Sequence, residues 1–297
     1  MSKIGFIGLG IMGNPMARNM VTKGSELLVF DIAEAAVNGL VEAGAKAATL
    51  KEIGESCDVI FTILPNGSIV KDTLFKETGV ASSIKPGTIV VDMSSVTPVE
   101  SRYCYENLKK LGVSFLDAPV SGGEPKAIDG TLSFMVGGDE DAFKAAHPFM
   151  MQMGANAVLV GGSGSGSVTK LANQIIVNLN ISALGEALVF AMKAGVDPEK
   201  VFQAIRGGLA GSVVMEAKAP MIMNRNFNPG GKLSINHKDI KNVVNTAHEL
   251  DIPVPMSAQL FEVMQGLKVR GLMDDDHGAI VKHFELLAGV EVTKGGE

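Results

Sequence analysis

Apolar residues recur along this chain in two rhythms, and the change between them divides it. In the first half, short apolar runs bounded by Gly, Pro, Asp or Ser alternate with stretches of helical spacing. The runs KIGFIGLG, ELLVFD, DVIFTIL, GTIVVDMSS, VSFLDAPV, TLSFMVGG and NAVLV predict strands. Between them, apolar positions recur every three or four residues in IMGNPMARNMVTKG and over 33–43, 68–75, 98–111 and 139–151, which predicts helices. Strands alternating with helices imply a parallel sheet covered on both faces, with ligands bound beyond the carboxyl ends of its strands. Those ends are 8–13, Asp31, 64–66, 94–95 and 121–123, so candidate polar groups converge on one edge.

From residue 161 the rhythm changes. A Gly/Ser stretch opens into a run where Val168, Leu171, Ile175, Leu179, Ala183 and Ala187 keep helical spacing. Ile176, Val177, Ile181, Leu184, Leu188 and Phe190 fill the other faces. A helix from about 167 to 194, roughly 40 Å long, is therefore expected to be a spine buried on nearly every side, ended by Gly195. No strand pattern returns after it. DPEKVFQAIRGG, with Asp197 as N-cap and Pro198 at the first helical position, opens a second half read as entirely helical. The expected domains are 1–162 and 163–297.

Composition narrows the picture. The chain has 297 residues, 46% hydrophobic and 20% charged, enough for a sizeable core. Its formal net charge of −6 argues against nucleic acid or an anionic membrane as main partner. The spine could span a bilayer by length, but Lys170, Asn173, Asn178, Asn180 and Glu186 interrupt it, so a soluble core helix is expected. Cys57 and Cys104 form no ligand or disulfide pattern, and the N-terminus has no signal-peptide pattern, so a cytoplasmic location is expected. His147, His248, His277 and His283 lack metal-ligand spacing and read as structural; no metal is expected.

Four features could carry chemistry. Gly8, Gly10 and Gly13 form GxGxxG between a predicted strand and a predicted helix, where a backbone without Cβ atoms can touch a pyrophosphate at a helix N-terminus. Asp31 ends the next strand, where a carboxylate grips ribose hydroxyls; the alternative is a cap for the following helix. Ile32 follows it rather than an Arg, so NADH is preferred, with NADPH as the other candidate. Ser121, Gly122 and Gly123 could turn backbone N–H groups toward a carboxylate, or form an ordinary loop. Lys170, Asn173 and Gln174 share one helix face, either as a catalytic ammonium with its partner or as a frayed end reaching water.

Several separated motifs agree in order: FIGLGIMGNPMARN, DAPVSGGEPKAIDGTL, GSGSVTKLANQ and HKDI. Together they resemble the β-hydroxyacid dehydrogenase family across essentially the whole chain. The resemblance implies a Rossmann-like doubly wound parallel sheet, a long connecting helix and an all-α C-terminal domain. It implies reversible hydride transfer between NAD(P) and a small hydroxyacid or semialdehyde, in a homodimer or homotetramer. It assigns Gly8, Leu9, Gly10, Ile11, Met12, Gly13, Asp31, Leu64, Pro65, Asn66, Ser95 and Lys238 to the dinucleotide. Ser121, Gly122, Gly123 and Asn173 would hold the substrate, and Lys170 would be the catalytic acid or base, with Asn173 beside it. Relatives often carry an aromatic residue where Gly231 stands, which leaves the substrate open among short-chain hydroxyacids and semialdehydes. The rival of another class is a dinucleotide-binding regulatory module without catalysis.

Overall fold

The short apolar runs do form strands, and the helical stretches cover them. The computed structural model describes residues 3–295 and divides into two compact units between Lys170 and Leu171. The first unit begins β1 (Ile4–Ile7), α1 (Gly13–Thr22), β2 (Leu27–Phe30), α2 (Glu34–Glu42), β3 (Lys46–Ala47), α3 (Leu50–Ser56), β4 (Val59–Thr62) and α4 (Gly67–Phe75). It continues β5 (Ile89–Asp92), α5 (Pro98–Lys109), β6 (Ser114–Asp117), β7 (Val120–Ser121), α6 (Gly123–Asp129), β8 (Leu132–Gly137), α7 (Glu140–Met150) and β9 (Gly154–Gly161). A long helix, α8 (Ser165–Lys193), then starts in this unit and runs into the next.

The strand order is β3-β2-β1-β4-β5-β6-β8-β7, with β9 paired to β8. The pairs from β3 to β6 are all parallel. The order reverses between β1 and β4, and that switch point is where an open α/β sheet leaves a crevice at its carboxyl edge. One register row, Phe30, Ile7, Thr62, Asp92 and Asp117, marks this edge. Beyond β6 the sheet departs from the all-parallel expectation. Asp117, Val120 and Ser121 pair in one continuous antiparallel register with Gly137, Phe134 and Ser133 of β8. The segment 117–121 thus carries Ser121 past the edge by roughly 13 Å at the usual rise per residue.

Alternation along each strand explains the double cover. Ile4, Phe6, Phe61, Val91 and Leu116 are buried on one face with Met16, Met20 and Ala146. Ile7, Ile60, Val90 and Phe115 are buried on the other with Ile53, Leu74, Cys104 and Leu108. Strands buried on both faces read as unbroken apolar runs. The sequence reading passes over β3, α3 and α6, which are short; for α3 the capping box Thr49–Glu52 was the available signal.

The second unit is helical: the rest of α8, then α9 (Pro198–Ile205), α10 (Val213–Met223), α11 (Leu233–Glu249), α12 (Pro255–Val269) and α13 (Val281–Ala288). Asp197 caps α9 by accepting from Glu199 N at 2.9 Å, as its place before Pro198 predicts. Leu171 and Ile181 of α8 are buried with Ile240, Leu260 and Met264; Leu184 and Leu188 are buried with Phe202, Ala219 and Ile222. The expectation of burial on nearly every side fails, however. Ile176 and Phe190 stand 61% and 75% exposed in the single chain. An all-round apolar sequence reports the helix's need for cover, and these helices supply it on one side only.

Candidate functional site

The three glycines of the first loop have three different physical reasons to lack a side chain. Gly8 has φ +98° and a Cβ there would lie 2.2 Å from the Ile63 carbonyl oxygen. At Gly13 a Cβ would lie 1.9 Å from the Gly8 carbonyl oxygen, so α1 can seat against β1 only without one. At Gly10 nothing lies within 4 Å, and the residue is exposed, so its backbone is open to an approaching group. Two tight glycines around an open one form a cradle that fits a pyrophosphate. Leu9 is buried, Ile11 exposed and Met12 half-buried, so the loop presents backbone rather than polar side chains.

Asp31 stands beside this loop. Its Oδ2 accepts from Leu9 N at 2.6 Å and its Oδ1 from Ala33 N at 2.8 Å. The carboxylate therefore ties the end of β2 to the glycine loop, whereas α2 has no side-chain cap at Ala33. Ile32 beside it is exposed.

The loops after β4 and β5 are held together from below by a residue the sequence reading passed over. Asp92 is buried, and its Oδ1 accepts from Thr62 Oγ1 at 2.7 Å and from Ser94. Ser94 Oγ in turn accepts from Leu64 N at 2.8 Å. This fixes Leu64, and with it Pro65 and Asn66, whose side chain caps α4 by accepting from Ile69 N. Ser95 follows Ser94, half-buried at the same edge. Burial pushes the Asp92 carboxyl up to about 6, against the lowering effect of its Ser94 and Thr62 donors. A raised acid favours the fold fully below its unfolded value near 4 and loses that contribution as pH rises through about 6. Asp92→Asn removes this dependence. Its stability relative to wild type should improve by about 2 kcal/mol between about pH 4 and about pH 7.5. Urea denaturation at both pH values checks this, and an equal gap at both would contradict it.

A second unread carboxylate sets the start of α8. Asp117 ends β6, buried, with Oδ1 accepting from Gly164 N at 2.7 Å and Oδ2 from Ser167 N at 2.8 Å. It satisfies two N–H groups that a helix start leaves orphaned, and its charge suits that end of the helix. Burial pushes its carboxyl upward despite these donors. Ser101 and Ser167 hydroxyls meet at 2.8 Å. Gly166 lies so near the sheet that a Cβ would be 2.2 Å from the Asp117 carbonyl oxygen. The result is a rigid base for Lys170, one turn along. Lys170 Nζ donates to the Val120 carbonyl oxygen at 2.9 Å. The ammonium therefore stands at the residue preceding Ser121, Gly122 and Gly123. Gly122 and Gly123 have φ +134° and +68°, and both are exposed. Both Asp92 and Asp117 end apolar runs, as Asp31 does; that was the signal for them.

In the second unit, Asn173 Nδ2 donates to Gln174 Oε1 at 2.9 Å. Gln174 Nε2 donates to Asp239 Oδ2 at 2.6 Å, and Lys238 Nζ lies 3.3 Å from Asp239 Oδ1. The loop holding Gly231 is anchored by Asp276, fully buried, whose Oδ2 accepts from Gly230 N and Gly231 N and whose Oδ1 accepts from Lys218 and Gly278 N. Burial acts upward on the Asp276 carboxyl, but His277 and Lys218 hold it below the usual range. A Cβ at Gly231 would have the His277 ring as its nearest neighbour, at 3.6 Å. Among the described residues no group of three His, Cys, Asp or Glu side chains could hold a metal ion.

Comparison with known proteins bears on these two halves separately. The pattern of the NAD-binding domain of 6-phosphogluconate dehydrogenase matches residues 3–162. The NAD-binding pattern of NADP-dependent 3-hydroxyisobutyrate dehydrogenase matches residues 164–284. The 2-hydroxy-3-oxopropionate reductase of Escherichia coli (strain K12) is 42% identical, over 96% of this chain and 98% of its own. This chain belongs to the β-hydroxyacid dehydrogenase family. Another relative is the 2-(hydroxymethyl)glutarate dehydrogenase of Eubacterium barkeri, 37% identical over 99% of this chain and 98% of its own. The solved 3-hydroxyisobutyrate dehydrogenase of Mycobacterium tuberculosis superposes with a TM-score of 0.88 at 28% identity, covering 95% of this chain and 98% of that one. As a β-hydroxyacid dehydrogenase, the chain is an NAD(P)-binding oxidoreductase acting on hydroxyl groups. The cradle at Gly10 and the carboxylate of Asp31 are the residues in this chain that fit such a dinucleotide.

Proposed function

We propose that this protein is a cytoplasmic reductase that converts tartronate semialdehyde (2-hydroxy-3-oxopropanoate) reversibly to D-glycerate, with NADH preferred over NADPH. The observation that carries the reading is the Lys170 ammonium held 2.9 Å from the Val120 carbonyl, directly before the Ser121-Gly122-Gly123 loop. The choice of substrate is supported by the 42% identity to a 2-hydroxy-3-oxopropionate reductase along nearly the whole chain. It is supported also by the stretches GGEPKAIDGTLSFMVGG and AIRGGLAGSVVMEAKAPMIM, the second lying outside the motifs that the family shares.

Reduction of an aldehyde needs a hydride at carbon and a proton at oxygen. Bound NADH supplies the hydride. Gly8, Leu9, Gly10, Ile11, Met12 and Gly13 receive the pyrophosphate, Asp31 the adenine ribose, and Leu64, Pro65, Asn66 and Ser95 line the carboxyl edge beside them. The N–H groups of Ser121, Gly122 and Gly123 take the substrate carboxylate. Lys170 gives its proton to the aldehyde oxygen, and its charge stabilises the alkoxide as it forms. Asn173 bonds a substrate hydroxyl. No step calls for a metal. The bare apolar stripe at Ile176 and Phe190 supports self-association as a homodimer or homotetramer.

Kinetics with tartronate semialdehyde, glyoxylate and succinic semialdehyde, each with NADH and NADPH, and with 3-hydroxyisobutyrate and NAD+ or NADP+, test the choice. The expected result is the highest kcat/KM for tartronate semialdehyde with NADH. A tenfold preference for another acid overturns the substrate, and absence of turnover with all of them leaves the non-catalytic module standing instead.

A further inference from the structure

The helix that follows the 121–123 loop has little of its own to hold it in place. α6 has seven residues, about 10 Å at the usual rise, and of these only Ala127 is buried. Helices so short depend on contacts from outside. The start of α6 is tied to the glycine turn: a Cβ at Gly122 would lie 2.5 Å from Lys126 Cβ, so Gly122 rests on the body of the helix. Its end is tied to α1. Ala127 is buried in one cluster with Met16, Ala17 and Met20. The last carbonyls of a helix have no partner within it. Here the Lys126 carbonyl accepts from Thr131 N at 2.9 Å, and the Ala127 and Ile128 carbonyls accept from Asn19 Nδ2 at 2.8 and 3.3 Å. A carbonyl oxygen only accepts, so the half-buried Asn19 amide must point its nitrogen at them. Gly130, at φ +67°, keeps the approach close: a Cβ there would lie 3.3 Å from Asn19 Nδ2.

Asn19 stands six residues after Gly13, on the helix whose start forms the cradle and whose seat on β1 that glycine permits. We propose that Asn19 is a positioning residue: its amide locks α6 to α1 and so sets the 121–123 loop at a fixed reach from the dinucleotide cradle. The proposal rests on the reading above that this loop takes the substrate carboxylate. Its effect then belongs to substrates that the loop anchors. A carboxylate held on a displaced loop carries the aldehyde carbon out of line with the hydride, and a misplacement of about 1 Å is enough to cost roughly 10²-fold. Glyceraldehyde, the same chain with a hydroxymethyl group in place of the carboxylate, takes no hold on the loop and does not depend on where it stands.

The test compares kcat/KM for tartronate semialdehyde and for glyceraldehyde in wild type, Asn19→Leu and Asn19→Asp. NADH Kd by fluorescence titration, Tm and amide hydrogen exchange of the ligand-free protein are the companions. Leu is a strong helix former, so α1 itself is not weakened, but it offers no donor. Asn19→Leu should reduce the preference for the carboxylate-bearing substrate by roughly tenfold or more, with NADH Kd unchanged. Amides of 124–131 should exchange faster than in wild type, while those of 13–22 hold. Asp has nearly the shape of Asn but turns only acceptors to the two carbonyls, so it should lose the preference as well. A residue that merely stabilises the unit would lower Tm and leave the preference intact. A folded Asn19→Leu with the wild-type preference therefore overturns the proposal. If that variant does not fold, Asn19→Asp with the wild-type preference overturns it equally. Should wild type itself not prefer tartronate semialdehyde over glyceraldehyde, the reading of the 121–123 loop has failed. The lock is then judged by hydrogen exchange alone, and unchanged exchange over 124–131 in the variants contradicts it.

Discussion

Lys170→Ala is expected to lose turnover by roughly 10⁴-fold while binding NADH as tightly as the wild type. The size follows from the two roles given to one group, since proton donation and charge stabilisation are each worth roughly 10²-fold or more. Loss of folding would not explain such a result. Lys170 is half-buried in the first turns of a 29-residue helix, and Ala is the best helix former of all. The Val120 carbonyl would forfeit its 2.9 Å bond, at a cost of about 1 kcal/mol. Lys170→Arg separates the two roles. It keeps the charge but does not release a proton in the working range, so it should lose only the share of proton donation, roughly 10²-fold, and fall between wild type and the Ala variant. Steady-state kinetics with fluorescence titration of NADH check both, and near-normal turnover in either removes Lys170 from proton donation.

The second large effect contrasts two glycines three residues apart. Gly13→Ala would place a methyl carbon 1.9 Å from the Gly8 carbonyl oxygen, which only movement of α1 off β1 can relieve. Overpacking against backbone should destabilise the first unit by about 3 kcal/mol or more. Gly10→Ala meets nothing within 4 Å, so Tm should hold. Its methyl instead occupies the ground over which a pyrophosphate approaches, and NADH affinity should fall roughly tenfold, about 1.4 kcal/mol. Thermal melts and NADH titrations of the two variants check the contrast. A destabilised Gly10→Ala, or a Gly13→Ala with normal Tm, would show that the cradle has been misread.

Much of this was legible in the residues because local pattern and fold agree. Strands covered on both faces must be apolar throughout, so β1, β4 and β5 stand out as runs, and the glycines between β1 and α1 mark a turn that side chains would block. What stayed hidden depends on pairing between distant segments. That 117–121 continues past the edge and pairs antiparallel with β8 is a matter of register, which a run of apolar residues does not reveal. Asp92 and Asp117 sit in plain view at the ends of runs, yet their tasks become clear only when Thr62, Ser94, Gly164 and Ser167 arrive beside them. α8 misled in the opposite direction. Its apolarity promised burial all round, and Phe190 at 75% exposure shows that composition reports demand for cover without naming its source.

The central claim is that the ammonium placed at Val120 gives up the proton that completes the reduction. The most direct measurement is the rate of first-turnover NADH oxidation, with enzyme and NADH premixed and tartronate semialdehyde added, in wild type and Lys170→Arg. The account predicts a first turnover slower in the variant by roughly 10²-fold, with NADH bound as tightly in both. Equal first-turnover rates in the two proteins would contradict it.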